Sequence, residues 1–168
     1  MKHQNDDRTQ QRLQILGEDE IEAMYGRPLF NHEDRVRYFS LSALEKAALK
    51  QFHTFQSRIF YIVQLGYFKA RQQFFTFSLQ EVLADASYVQ QTYFPDFSLT
   101  DFGIAKGTRG KQQRVILDLF GYRFCTRAER ELLVKRAEQA AKISSKPIYI
   151  LRDLLQCLAE RRVVAPSY

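Results

Sequence analysis

Between residues 55 and 74 the chain sets Ile59, Phe60, Ile62, Val63, Leu65, Tyr67 and Phe68 at helical spacing, so that nearly every side of the helix is apolar. A helix of this kind is stable in water only when other elements surround it. The rest of the chain must therefore supply several amphipathic elements to cover it. Use of the same aromatic cluster as an exposed platform for unpaired bases is the weaker alternative.

The expected cover is helical. Ser42 with Glu45, Ser78 with Glu81, Ser98 with Asp101 and Thr126 with Glu129 each place a hydroxyl three residues before an acid. This spacing lets the hydroxyl accept from a free first-turn amide while the acid reaches back to the capping residue. Asn31 ahead of Glu33 and Asp34 reads as another cap, and Ser145 followed by Pro147 opens a last helix. Apolar stripes run along Val82, Leu83, Ala86, Val89 and Tyr93, along Val115, Ile116, Leu119 and Phe120, and along Ile148, Leu151, Leu154, Leu155 and Leu158. All follow helical periodicity. The pattern predicts helices near 18–24, 31–39, 42–52, 55–74, 79–93, 110–120, 127–143 and 146–161, with Gly121 ending the sixth. No segment alternates like a strand. The expected class is all-α, with about eight helices, for which two small helix-turn-helix-like units are one arrangement.

Pro95, Gly103, Gly107 and Gly110 suggest a boundary between residues 94 and 110. The expected organisation is a frayed or disordered segment 1–15, a helical unit 16–95 and a basic helical unit 96–168. Fourteen Phe and nine Tyr in 168 residues provide material for a core. Cys125 and Cys157 have no paired spacing, which fits a reducing compartment without a disulfide framework. His3, His32 and His53 are scattered, so no metal site is expected. The polar first fifteen residues do not read as a secretory signal. The apolar stretch near 59–68 is too short to cross a bilayer. A cytoplasmic protein without membrane partners is expected.

The net charge of +6 narrows the choice of partner. Residues 1–95 carry eleven basic and eleven acidic side chains, so the whole excess lies in 96–168. Within 102–127, Lys106, Arg109, Lys111, Arg114, Arg123 and Arg127 face only Asp118. The run Lys106 to Lys111 reads as a flexible basic loop entering a helix. Main-chain amides at such a start favour phosphate oxygens. Lys111 and Arg114 are expected to project from the apolar stripe. Gln112 and Gln113 are expected to reach base edges, since a glutamine amide can pair with adenine. The alternative is a solvated face on which Arg114 and Asp118 pair. Lys69 and Arg71, with Arg58, form a smaller basic group in which edging the buried helix is the favoured role. No phosphate loop, ligand cluster or nucleophile–base pair is evident, so neither a catalytic site nor a cofactor is expected in this chain.

Several runs resemble the N-terminal region of transposases of the class II replicative transposons, the Tn-3 family. They are Tyr25-Gly26-Arg27-Pro28-Leu29-Phe30-Asn31, Tyr38-Phe39-Ser40-Leu41-Ser42, and Leu65-Gly66-Tyr67-Phe68-Lys69-Ala70-Arg71 with Phe74-Phe75. Thr108-Arg109-Gly110 through Ile116, Gly121-Tyr122-Arg123 and Arg161 through Pro166-Ser167-Tyr168 continue the series. The resemblance implies a portion that binds double-stranded DNA at the terminal inverted repeats. It also implies that the Asp-Asp-Glu strand-transfer site lies in a part not included here, this chain being an excised portion or a truncated reading frame. Self-association is a possible partner interaction. The alternatives are a helical module for transposase assembly or a truncated repressor, a stand-alone enzyme of unknown type, and a structural RNA-binding protein.

Overall fold

The computed structural model describes residues 16–100 and 103–166. The expected frayed segment 1–15 and the capping acid Asp101 lie outside them. The fold is essentially all-α. Its elements are α1 (Glu18–Tyr25), α2 (His32–Tyr38), α3 (Ala43–Leu49), α4 (Phe55–Arg71), α5 (Leu83–Tyr93, entered through a 3-10 turn at Gln80–Val82), α6 (Lys106–Phe120), β1 (Arg123–Phe124), α7 (Arg127–Ala141), α8 (Pro147–Glu160) and β2 (Val163–Val164).

Helix α4 is the centre. Thr54 caps it by accepting from the Ser57 amide at 3.1 Å. Every residue from Ile59 to Phe68 is buried, and α2, α3, α5 and α6 all pack on it. Gly66 is the point of closest approach: a Cβ there would lie 2.4 Å from the Phe39 ring. Phe39 and Phe30 continue the contact into an aromatic cluster with Tyr67.

Polar groups on so buried a helix need internal partners. The Tyr67 hydroxyl donates to Asp85 Oδ2 at 2.5 Å. Arg35 Nε donates to the other Asp85 oxygen at 2.7 Å, and Arg27 Nη1 donates to the Tyr67 hydroxyl at 3.2 Å. This network ties α2, α4 and α5 together. Burial, followed by the Asp85 carboxylate, pushes the Tyr67 phenol well above its ordinary pKa.

The expected caps form at Asn31–Asp34, Ser42–Glu45, Ser78–Glu81 and Thr126–Glu129. Pro147 is the first residue of α8. Three features depart from expectation. Helix α6 begins at Lys106 rather than near 110, so the basic run is its first turns and not a loop. The core does not divide at 95/96: Ile116, Leu117 and Val164 join the cluster built on α4. Helices α7 and α8 instead pair with each other, bridged by Arg136 and Asp153. Finally, Arg123–Phe124 and Val163–Val164 form a short parallel pair that joins the chain before α7 to the chain after α8.

Two substitutions test this centre by thermal unfolding. Gly66→Ala forces its methyl into the Phe39 ring and is expected to cost about 1–3 kcal/mol. Tyr67→Phe leaves the buried Asp85 oxygen without its donor and is expected to cost about 1–3 kcal/mol.

Candidate nucleic-acid interface

Helix α6 carries the chain's densest basic run, and its two sides differ sharply. At 3.6 residues per turn, Gln112 and Ile116 share one face while Gly107, Lys111, Arg114 and Asp118 share the other. Burial follows this division. Ile116 and Gln112 are both 0 % exposed, whereas Lys111, Arg114 and Asp118 are exposed.

This overturns the expected role of Gln112 in reading bases. Its Oε1 accepts from Gln64 Nε2 at 2.5 Å, and its Nε2 donates to the Ser57 carbonyl at 2.7 Å. Both ends of the amide are spent on docking α6 to α4, and no base edge can reach it. Gln113 is half-buried beside it.

The other residues singled out in the sequence fall into three groups. Lys106, Lys111 and Arg114 are exposed on α6 with no carboxylate partner among the described residues. Arg114 does not pair with Asp118. The Lys111 ammonium lies 5.7 Å from the centre of the Phe52 ring, which places it beside the end of α3. Arg109 belongs elsewhere: it is half-buried and lines a cleft with Phe60, Phe77 and Gly103, away from the Lys111–Arg114 face.

Lys69 and Arg123 have structural partners. The Lys69 ammonium donates to the Ser40 carbonyl at 2.6 Å and to Glu45 at 2.8 Å. It therefore fastens α4 to α3 and the segment before it. Arg123 binds Glu129 at 2.8 Å and the Arg161 carbonyl at 3.1 Å. Hydrogen bonds from Thr126, then Arg123, bring the Glu129 carboxyl down to about pKa 2. Arg127 pairs with Glu131 on an open surface, where such pairs are weak. Arg71 donates to the Ala23 carbonyl at 3.3 Å while remaining exposed.

The glycines of α6 add an observation the sequence did not offer. A Cβ at Gly107 or Gly110 would meet nothing within 4 Å. Neither has a positive φ. Packing and backbone geometry therefore require neither glycine, although an interior helical glycine such as Gly110 is about 1 kcal/mol less favourable than alanine. The start of α6 also lacks a side-chain cap, since its N-cap is Ala105. Its first amides are left available.

Among the described residues, no cluster of His, Cys, Asp or Glu is arranged to hold a metal ion. No helix among them is long and apolar enough to cross a membrane. No curated protein and no solved structure matches the chain. A family model described as a domain of unknown function, DUF4158, matches residues 15–168, and the chain therefore belongs to the DUF4158 family.

Proposed function

We propose that this chain is a DNA-binding portion of a Tn-3 family replicative transposase, acting on the terminal inverted repeats of the element. DUF4158 domains occur in transposases of that family, in line with the motif resemblance. The observation that carries the reading is the outer side of α6. There Lys106, Lys111 and Arg114 lack carboxylate partners among the described residues, and two helical glycines face open space.

These features suit a phosphate backbone. Unpaired cations release counterions from DNA without first breaking an ion pair. Bare glycine backbone lets a partner approach more closely than a side chain would permit. The uncapped amides of the first turn offer donors to a phosphate oxygen. Cationic contacts of this kind set register rather than read sequence. With Gln112 withdrawn into the core, base reading must come from other side chains.

A second reading is favoured by one observation. Ile143 beyond the end of α7 and Tyr149 on α8 are exposed and line one cleft, as expected of a surface used in transposase assembly. The two readings separate experimentally. In binding titrations of the inverted-repeat duplex over a range of salt, Lys111→Ala and Arg114→Ala are each expected to flatten the slope of log K against log salt by about 0.9. Unchanged slopes and affinities would reject the α6 interface.

A glycine variant tests the same face without altering its charge. Gly110→Ala is expected to stabilise the fold by up to about 1 kcal/mol and to weaken duplex binding. A stabilised protein with undiminished binding would show that backbone approach is not used.

A further inference from the structure

At the opposite end of α6, its C-terminus converges with that of α4 on a cleft of about 320 Å3 lined by Phe68, Lys69, Gln72, Phe120, Tyr122 and Arg162. We propose that this cleft receives one unstacked nucleobase of the DNA held by the chain. The proposal rests on the nucleic-acid reading of α6 for its partner, but on separate residues.

The walls are aromatic. The Tyr122 ring stands edge-on to Phe68 at 5.3 Å, and Phe120 lies 5.6 Å from the same ring. Phe68 itself is 1 % exposed and stacked on Phe74, so the rings with open surface in the cleft are those of the half-buried Phe120 and Tyr122; π-faces stack on any base. The polar groups are mixed. Arg162 spends Nη1 on the Phe120 carbonyl at 3.2 Å, which leaves the rest of its guanidinium as a donor. Gln72 donates Nε2 to the Lys69 carbonyl at 3.0 Å, which leaves its amide oxygen as an acceptor. The Tyr122 hydroxyl forms no hydrogen bond to the described residues. Donors and acceptors above apolar rings match the edge of a base, which carries both. Lys69 and Arg162 bring positive charge to the cleft, offset in part by the two helix C-termini.

Backbone geometry supplies an independent observation. Among the described residues, only Gln72 and Arg162 are non-glycine residues with positive φ, at 52° and 53°. Both line this cleft. Glycine fits the left-handed region without the steric penalty that a side chain incurs. Each side chain spends one donor on a helix-end carbonyl, and the remainder of the amide and of the guanidinium lines the cleft. Local strain retained together at one cleft is expected where the side chains have a use.

This geometry permits a test in which the altered protein remains folded. In the double variant Gln72→Gly with Arg162→Gly, both residues adopt their present φ without strain. Its melting temperature is expected to stay close to that of the parent, relief of the left-handed strain offsetting the two lost hydrogen bonds to helix-end carbonyls. Its affinity for a short oligothymidine strand is expected to fall about tenfold, the effect of losing one stacked and hydrogen-bonded base. A fluorescent 2-aminopurine placed unpaired in a duplex is expected to change emission with the parent and not with the variant. Equal oligothymidine affinity in the two proteins, or the same emission change in both, would overturn the proposal. Inverted-repeat binding is measured on the same proteins and on Arg114→Ala. Failure of the α6 interface then registers in the duplex arm and failure of the cleft in the single-strand arm.

Discussion

A helix buried on all sides allows no polar group to turn to water, and much of this structure follows from that constraint on α4. Ser57, Tyr61, Gln64 and Tyr67 lie on it, and all four are buried; of their polar atoms, the Tyr61 hydroxyl and Gln64 Oε1 have no hydrogen-bond partner among the described residues. Gln64 Nε2, the Tyr67 hydroxyl and the Ser57 carbonyl are answered from two neighbouring helices. Tyr67 draws in Asp85 of α5, and through it Arg35 of α2. Gln64 and the Ser57 carbonyl draw in Gln112 of α6. Apolar contact alone would tolerate several orientations of the covering helices. A hydrogen bond between two buried amides tolerates few, because a displaced partner leaves a desolvated dipole. The polar groups of α4 thus orient the helices that its apolar groups attract.

The consequence for α6 is direct. Because Gln112 points inward, Lys111 and Arg114 must lie on the outer side, and Gly107 with them. The basic face is held by the same interaction that closes the core. The sixth helix is thereby fixed to the first four-helix group, although most of the net charge and most of the apparent punctuation suggested a separate unit. Pro95, Gly103, Gly107 and Gly110 resemble a linker in composition. Only the first two lie outside regular helix; the others sit within α6.

What could be read in the sequence and what could not divide along the range of the forces involved. Caps depend on residues three apart, and Ser42–Glu45 and Thr126–Glu129 form as their spacing predicts. The central position of α4 follows from composition within one segment. The start of α6 was misread because glycine is a strong local signal for a loop, and the four residues before 110 contain no apolar stripe to oppose it. Gln112 was misread because its neighbours Lys111 and Gln113 are polar. Its spacing of four from Ile116 was the signal that placed it on the buried face. The two strands contain two residues each, too few for alternation to appear. The left-handed turns at Gln72 and Arg162 carry no glycine to mark them. The cleft they line joins segments some ninety positions apart, and no local pattern reports it.

Charge counted along the chain and charge presented on the surface also diverge. The first ninety-five residues are neutral in sum, but not because their surface is evenly mixed. Asp34, Glu45 and Glu81 are occupied at helix starts. Glu45 and Asp85 additionally neutralise Lys69 and Arg35. In the second half, Arg123, Arg127 and Arg136 each meet an acid. Removing these pairs from the count leaves Lys106, Lys111 and Arg114 on the outer face of α6 without an ion pair among the described residues, with Asp118 as the one acid of that face. A phosphate backbone approaching this molecule meets competing carboxylates at the paired arginines, where contact must first replace an existing interaction. At Lys106, Lys111 and Arg114 the competing species is water and mobile counterion. That difference, rather than the net charge of +6, is what favours α6 within the proposed DNA-binding reading.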